Sequence, residues 1–125
     1  MSALDGVPKD QPALVRADAI SRRAITVGFD WEDASGARAK VIEEMAEVDA
    51  ADSLPERIDE IGDLLFAIVN WARKLGVEPE AALHQATSKF ECRFRAMEEE
   101  AGPTFATLSL DQMEALWQRV KQRVR

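Results

Sequence analysis

Apolar residues recur at helical spacing along almost the whole of this 125-residue chain, and no stretch alternates as a strand does. Glycine is scarce, and Gly28, Gly76 and Gly102 each stand at the end of a periodic segment, where helices commonly terminate. This pattern predicts helices at about 12–27, 35–51, 55–75 and 79–101, and a fifth that begins after residue 109. Short connections between long helices imply antiparallel neighbours. We therefore expect an all-α bundle of about five helices in one domain over 1–125, with a polar leader at 1–11.

Composition narrows the classes of function. The formal net charge is −7, so the chain is a poor binder of DNA or RNA, whose phosphates repel it. No apolar run reaches the roughly 18 residues that a membrane span needs. The leader lacks the order of a signal peptide, and a single cysteine, Cys92, excludes an internal disulfide. The sequence thus predicts a cytoplasmic protein that binds neither membranes nor nucleic-acid polymers.

Acidic residues are paired on two consecutive predicted helices. The second helix carries Glu43-Glu44-x-x-Glu47, and the third carries Glu60-x-x-Asp63. Residues three apart lie on adjacent turns of one helix face, so each helix offers two carboxylates to the same region. An apolar stripe centred near Met45 predicts that Glu44 lies at the margin of a buried surface.

Carboxylates in such a position need a compensating proton or cation, because desolvation and mutual repulsion both disfavour them. Oxygen ligands without Cys or His are typical of Mg²⁺, Mn²⁺ or Ca²⁺, and Mg²⁺ usually also takes phosphate oxygens. The pattern favours phosphate chemistry assisted by a metal. The alternative is an ordinary solvated acidic helix surface, which an E-E-x-x-E run often forms.

Basic and aromatic residues on the later helices supply candidate contacts to a phosphorylated ligand. Lys89 and Arg93 are four apart on one face of the fourth helix, an arrangement that suits phosphate oxygens. Trp117 and Lys121 repeat the spacing on the fifth helix, as an aromatic face for a base and a cation for phosphate. The alternatives are surface salt bridges from the basic pair to Glu91 or Glu98, and a core position for Trp117. Lys40, one turn before Glu44, is a candidate both to neutralise the acids and to contact phosphate.

These motifs together resemble the MazG and all-α nucleoside triphosphate pyrophosphohydrolase family. The E-E-x-x-E and E-x-x-D elements at 43–47 and 60–63 match its acidic signature. Further segments resemble the C-terminal domain of MazG: Val27-Gly28-Phe29-Asp30-Trp31, Gly62-Asp63-Leu64-Leu65-Phe66-Ala67 with Asn70 and Arg73, Lys89-Phe90-x-x-Arg93-Phe94, and Trp117-Gln118-x-Val120-Lys121. The resemblance covers nearly the whole chain.

The resemblance implies an all-α fold whose four-helix core is completed by a homodimer or higher homo-oligomer. It implies hydrolysis of a nucleoside triphosphate to the monophosphate and pyrophosphate with Mg²⁺, or with Mn²⁺ as a substitute. The implied metal ligands are Glu44, Glu47, Glu60 and Asp63, with Glu43 or Glu47 as general base. The candidate substrate contacts are Lys40, Asn70, Lys89, Arg93, Trp117 and Lys121.

The chain departs from the family pattern in three respects. MazG commonly has two tandem domains and this chain has one. Thr87 stands where an asparagine is frequent, and Cys92 where an arginine is usual. These differences bear on substrate preference and turnover more than on the metal site. Two other hypotheses stay open: a catalytically weak nucleotide-binding or regulatory module, and a purely structural acidic helical dimer.

Overall fold

Helices account for all the regular secondary structure of residues 1–124, the part of the chain that the computed structural model describes. They are α1 Ala13–Ile25, α2 Ala34–Ala50, α3 Leu54–Lys74, α4 Pro79–Ala101 and α5 Leu110–Arg123. A 3₁₀-helix at Gly102–Thr107 joins α4 to α5 and was not predicted from the sequence. The all-helical class and the five predicted helices are confirmed, with boundaries that differ by one or two residues. No described helix is long and apolar enough to cross a membrane.

Local side chains define the helix ends. Asp33 caps α2 by accepting a hydrogen bond from the backbone amide of Gly36 at 2.9 Å. Ser53 caps α3 through the amide of Glu56, with Pro55 in the first turn, as the sequence predicts. Ser109 and Gln112 form a reciprocal capping box at the start of α5. The first residues of α2, α3 and α5 are therefore determined by side chains next to them in the sequence.

The chain divides into two compact units, Met1–Glu80 and Ala81–Arg125. In the N-terminal unit α2 packs along α3, and α1 packs on α3 as well. Only residues 51–53 connect α2 to α3, so the two helices form an antiparallel hairpin. Ala37 and Val41 of α2 and Ala67 and Val69 of α3 are buried in this unit. The single domain expected over 1–125 stays a prediction.

The buried face of α2 differs from the predicted one. Met45, the predicted centre of its apolar stripe, is 52% exposed, whereas Ala37, Val41 and Glu44 are buried. The prediction was wrong for Met45 alone, because Val41 of the predicted stripe is buried and Val48 is half-buried. The helix is instead rotated so that Glu44 faces the acidic residues of α3.

The apolar stretch of α3 is also less buried than its sequence suggests. Ile58, Ile61, Leu65 and Ile68 are all at least 39% exposed within the single chain. Their spacing places them along one side of the helix. The N-terminal unit therefore presents an uncovered apolar surface, defined here as the α3 apolar surface.

The C-terminal unit has a small core between α4 and α5. Met97, Leu116 and Val120 are buried together, with Phe105 and Trp117 packed against them. Four aromatic rings continue this core. Phe94 contacts Phe105 edge to face at 5.4 Å, and Phe90 contacts both Phe94 at 5.9 Å and Trp117 at 5.5 Å between ring centroids. These ring contacts hold the Trp117 side chain against the aromatic residues of α4.

Candidate metal centre

Three carboxylates of the α2–α3 hairpin meet at one point. Glu44 on α2, and Glu60 and Asp63 on α3, each offer one oxygen that lies within 4.8 Å of the other two. Glu44 is buried, Glu60 is half-buried and Asp63 is exposed, so the group lies at the edge of the packed interface. The three-residue spacing on α3 brings Glu60 and Asp63 to the same side, and the packing of α2 on α3 adds Glu44.

The electrostatics of this group leave negative charge uncompensated. Partial burial raises the pKa of the Glu60 carboxyl above its ordinary value of 4.5. The charges of Glu47, Asp59, Asp63 and Glu44 raise this pKa further. Burial and repulsion thus disfavour the ionised form of Glu60, and a bound cation would stabilise that form.

Glu47 lies close enough for its charge to act on Glu60, but no oxygen of Glu47 joins the three-carboxylate group. The Glu43 side chain is 60% exposed and is not among the three carboxylates that converge. The structure thus brings together three of the four predicted metal ligands and places the fourth beside them. The roles of Glu43 and Glu47 stay predictions.

Lys40 supplies the nearest positive charge. Its Nζ lies 3.1 Å from Oε1 of Glu44 and 3.3 Å from Oε1 of Glu43. The hydrogen bond to Glu44 and then that to Glu43 raise the pKa of the Lys40 ammonium. Lys40 is thus positioned to neutralise the acidic group, one of the two roles that its sequence position suggested. It also lines a cavity of about 290 Å³ with Phe29, Asp30 and Trp31.

The residues present fit a hard divalent cation. All three converging groups are carboxylates, and this set of candidate ligands contains no His or Cys. Oxygen donors of this kind suit Mg²⁺ and Mn²⁺.

Asn70 lies within a buried hydrogen-bond network. It is 2% exposed, its Oδ1 accepts from an Arg73 terminal nitrogen at 2.8 Å, and its Nδ2 donates to the Phe66 carbonyl at 3.1 Å. Arg73 also donates to Asp30, and Lys74 forms an ion pair with the same carboxylate at 2.8 Å. This network ties the 29–31 segment to the end of α3. A pairing across 43 residues has no local sequence signal, so the sequence analysis missed it.

The C-terminal unit has its own positively charged cleft. Lys89, Arg93 and Lys121 line a cavity of about 480 Å³ together with Gln118 and Gln122. Among the described residues neither Lys89 nor Arg93 forms the salt bridge to Glu91 or Glu98 that was the alternative; Arg95 pairs with Glu91 instead. Three of the predicted substrate contacts therefore share one cleft.

Arg93 is held tightly in that cleft. It is 8% exposed, its Nε donates to the Val124 carbonyl at 3.0 Å, and its guanidinium carbon lies 5.7 Å from the centroid of the Trp117 ring. Trp117 packs against both Arg93 and Phe90, so much of its surface serves the core of this unit. Its role as a platform for a base stays a prediction.

Known proteins match this chain over nearly its full length. The nucleoside triphosphate pyrophosphohydrolase of Escherichia coli K12 is 43% identical over 130 aligned residues, which cover 98% of this chain and 49% of that protein. The nucleoside triphosphate pyrophosphohydrolase/pyrophosphatase MazG of Thermotoga maritima is 42% identical over 113 residues, or 88% of this chain and 44% of that protein. Over this length the chain is MazG-like.

Two further comparisons define the extent of this match. The Bacillus subtilis protein YabN is 45% identical over 69 residues, which are 53% of this chain and 14% of that protein. No protein-family model matches the chain. The chain spans about half the length of the E. coli and Thermotoga relatives. The similarity therefore concerns the part of these proteins that the chain covers.

Proposed function

We propose that the chain is a Mg²⁺-dependent hydrolase that converts nucleoside triphosphates to nucleoside monophosphates and pyrophosphate. The observation that carries the proposal is the convergence of Glu44, Glu60 and Asp63 within 4.8 Å of one another. Two relatives that match most of the chain are named for this activity. The substrates include ribo-, deoxy- and non-standard nucleotides, and the biological role is control of the nucleotide pool.

The proposed metal ligands are Glu44, Glu60 and Asp63, with Glu47 as the fourth. A bound Mg²⁺ would lower the pKa of a water molecule and neutralise charge on the phosphates. Mn²⁺ would serve as a substitute. Glu47 or Glu43 is the proposed general base, because neither carboxylate belongs to the three that converge and both lie on the same helix as Glu44. Lys40 is the proposed phosphate contact on α2.

The positively charged cleft of the C-terminal unit is a second proposed phosphate-binding surface. Lys89 and Lys121 contribute flexible ammonium groups, and Arg93 contributes a buried guanidinium. Such groups balance the charge of a pyrophosphate that leaves. Trp117 is the proposed contact to a base, and Asn70 stays a proposed substrate contact, held in place by its hydrogen bonds to Arg73 and to the Phe66 carbonyl.

We also propose a homodimer or a higher homo-oligomer. The support is the α3 apolar surface, whose four aliphatic side chains are each at least 39% exposed. Ile42 and Met45 of α2 are likewise about half exposed. A second copy that covers these residues would remove a large apolar area from water. The proposed compartment is the cytoplasm, where nucleoside triphosphates are made and used; nucleic-acid polymers and membranes are not expected as partners.

Phosphorus NMR of ATP or dATP with the protein and Mg²⁺ tests the proposal. We expect the monophosphate and pyrophosphate as products. Asp59 and Glu60 are neighbours, so Asp59→Asn removes the same charge as Glu60→Gln without touching the three-carboxylate group. We expect Glu60→Gln to abolish turnover while Asp59→Asn retains it. Equal activity in both variants would refute the assignment of the site.

The same spectra distinguish the alternative functions. Diphosphate and phosphate as products would indicate a different hydrolase. No products, together with saturable nucleotide binding, would indicate the catalytically weak binding or regulatory module. Neither products nor binding would indicate a purely structural helical protein. A panel of ribo-, deoxy- and oxidised nucleotides would then define the substrate preference.

A further inference from the structure

Lys40 forms ion pairs with two acidic residues, which a lysine that served only to bind phosphate would not need. Its ammonium lies 3.1 Å from Oε1 of Glu44, a proposed metal ligand, and 3.3 Å from Oε1 of Glu43. The Glu44 side chain is only 10% exposed, so this ion pair is partly shielded from water and salt. Lys40 is therefore already engaged with the acidic group before any ligand arrives.

The acidic group also needs a cation. Glu44, Glu60 and Asp63 converge within 4.8 Å, and Glu47 and Asp59 add further negative charge around Glu60. Lys40 is the one basic residue that forms a salt bridge with any of these five acids among the described residues. Its ammonium thus provides, at Glu44, part of the compensation that a divalent ion would otherwise provide.

An ammonium and a divalent ion that share one carboxylate repel each other. Close to a protein surface, the Coulomb repulsion between such charges is large enough to change an affinity by about tenfold or more. The Lys40 ammonium and the divalent ion therefore compete for Glu44, although the acidic residues attract both.

We propose that Lys40 is an internal competitor of the metal: it neutralises Glu44 in the metal-free protein, lowers the affinity of the site for a free divalent ion, and leaves Glu44 when the ion binds. This inference rests on the proposed metal site. It adds that the ammonium, once released, is available to the phosphates that accompany the metal. The site would then take a metal–triphosphate complex in preference to the free ion.

Titration with Mn²⁺ alone, followed by the electron paramagnetic resonance signal of free Mn²⁺, tests the inference without turnover. We expect Lys40→Met to bind Mn²⁺ about tenfold more tightly than the wild type, from the repulsion that it removes. Lys40→Arg keeps the charge and should bind as the wild type does. Lys9→Met is the matched control, because it makes the same change at an exposed lysine that forms no salt bridge among the described residues.

Thermal unfolding provides a second readout. Without metal, Lys40→Met should melt below Lys9→Met, because its acids have lost their compensating charge. With saturating Mg²⁺ the difference should close or reverse, since the ion then stabilises the variant more than the wild type. A merely structural lysine would leave the same deficit with and without Mg²⁺, and that result would overturn the inference.

The outcomes also separate this inference from the proposed function. If the wild type binds Mn²⁺, Glu60→Gln does not, and Lys40→Met binds no more tightly than the wild type, only the role of Lys40 is refuted. If wild type and Glu60→Gln both fail to bind Mn²⁺, the metal site itself is refuted. Lys40→Gln repeats the comparison with a polar side chain, in case the methionine variant does not fold.

Discussion

Replacement of Asn70 by alanine tests whether this residue supports the fold or contacts the substrate directly. The amide makes two hydrogen bonds, one from Arg73 at 2.8 Å and one to the Phe66 carbonyl at 3.1 Å, in a side chain that is 2% exposed. A hydrogen bond from a charged donor contributes about 1.5–3 kcal/mol, and a neutral one about 0.5–1.5 kcal/mol. The Phe66 carbonyl keeps its backbone hydrogen bond within α3. Loss of the bond from Asn70 should therefore cost an amount at the low end of the range for a neutral hydrogen bond.

The two losses amount to roughly 2–3.5 kcal/mol. Alanine is the better helix former, which offsets about 0.5 kcal/mol. We therefore expect Asn70→Ala to lower the free energy of unfolding by about 1.5–3 kcal/mol. Urea unfolding, followed by tryptophan fluorescence and far-ultraviolet circular dichroism, measures this difference.

A double-mutant cycle with Arg73→Met isolates the contribution of the pair. The two side chains are in contact, so their effects should be non-additive, and the double variant should be less destabilised than the sum of the single variants. The reasoning would be refuted if Asn70→Ala unfolded at the same urea concentration as the wild type. Unchanged stability with weakened nucleotide binding would instead identify Asn70 as a direct substrate contact.

Three further predictions concern stability. The raised pKa of Glu60 means that the folded metal-free protein holds more protons than the unfolded chain above pH 4.5, so its stability should fall as the pH rises through that pKa; Glu60→Gln should flatten this part of the pH–stability curve. Asp30 shows the opposite sign. The hydrogen bond from Lys74, followed by that from Arg73, keeps the pKa of Asp30 below 3.8 against the opposing effect of burial. Its stabilisation should be present above pH 3.8 and be lost as the pH falls through the folded pKa, and Asp30→Asn should remove this loss in acid unfolding curves. Ser109→Ala should cost about 1 kcal/mol in urea unfolding, because it removes the cap of α5, whereas Ser88→Ala on the exposed part of α4 should have little effect.

The helices and their ends follow from the sequence because their causes are local. Ser53 and Pro55 specify the start of α3, and the glycines that follow α1, α3 and α4 adopt the positive φ values that favour glycine, from 64° at Gly102 to 91° at Gly28. The three-residue spacing of Glu60 and Asp63 likewise fixes their common side of α3 whatever the rest of the chain does. The sequence alone was therefore sufficient for the all-helical class and for a candidate acidic site.

Tertiary packing decided which acids meet. The packing of α2 on α3 buries Glu44 more deeply than the predicted margin position and leaves Met45, the predicted centre of the stripe, half exposed. The same packing leaves Glu47 beside the three-carboxylate group, whereas the contact of Lys40 with Glu44 is local to α2. The link from Asn70 through Arg73 to Asp30 joins residues far apart in the chain. Helix propensity and spacing fix positions along a helix, but the rotation of one helix against another depends on how all the side chains between them fit.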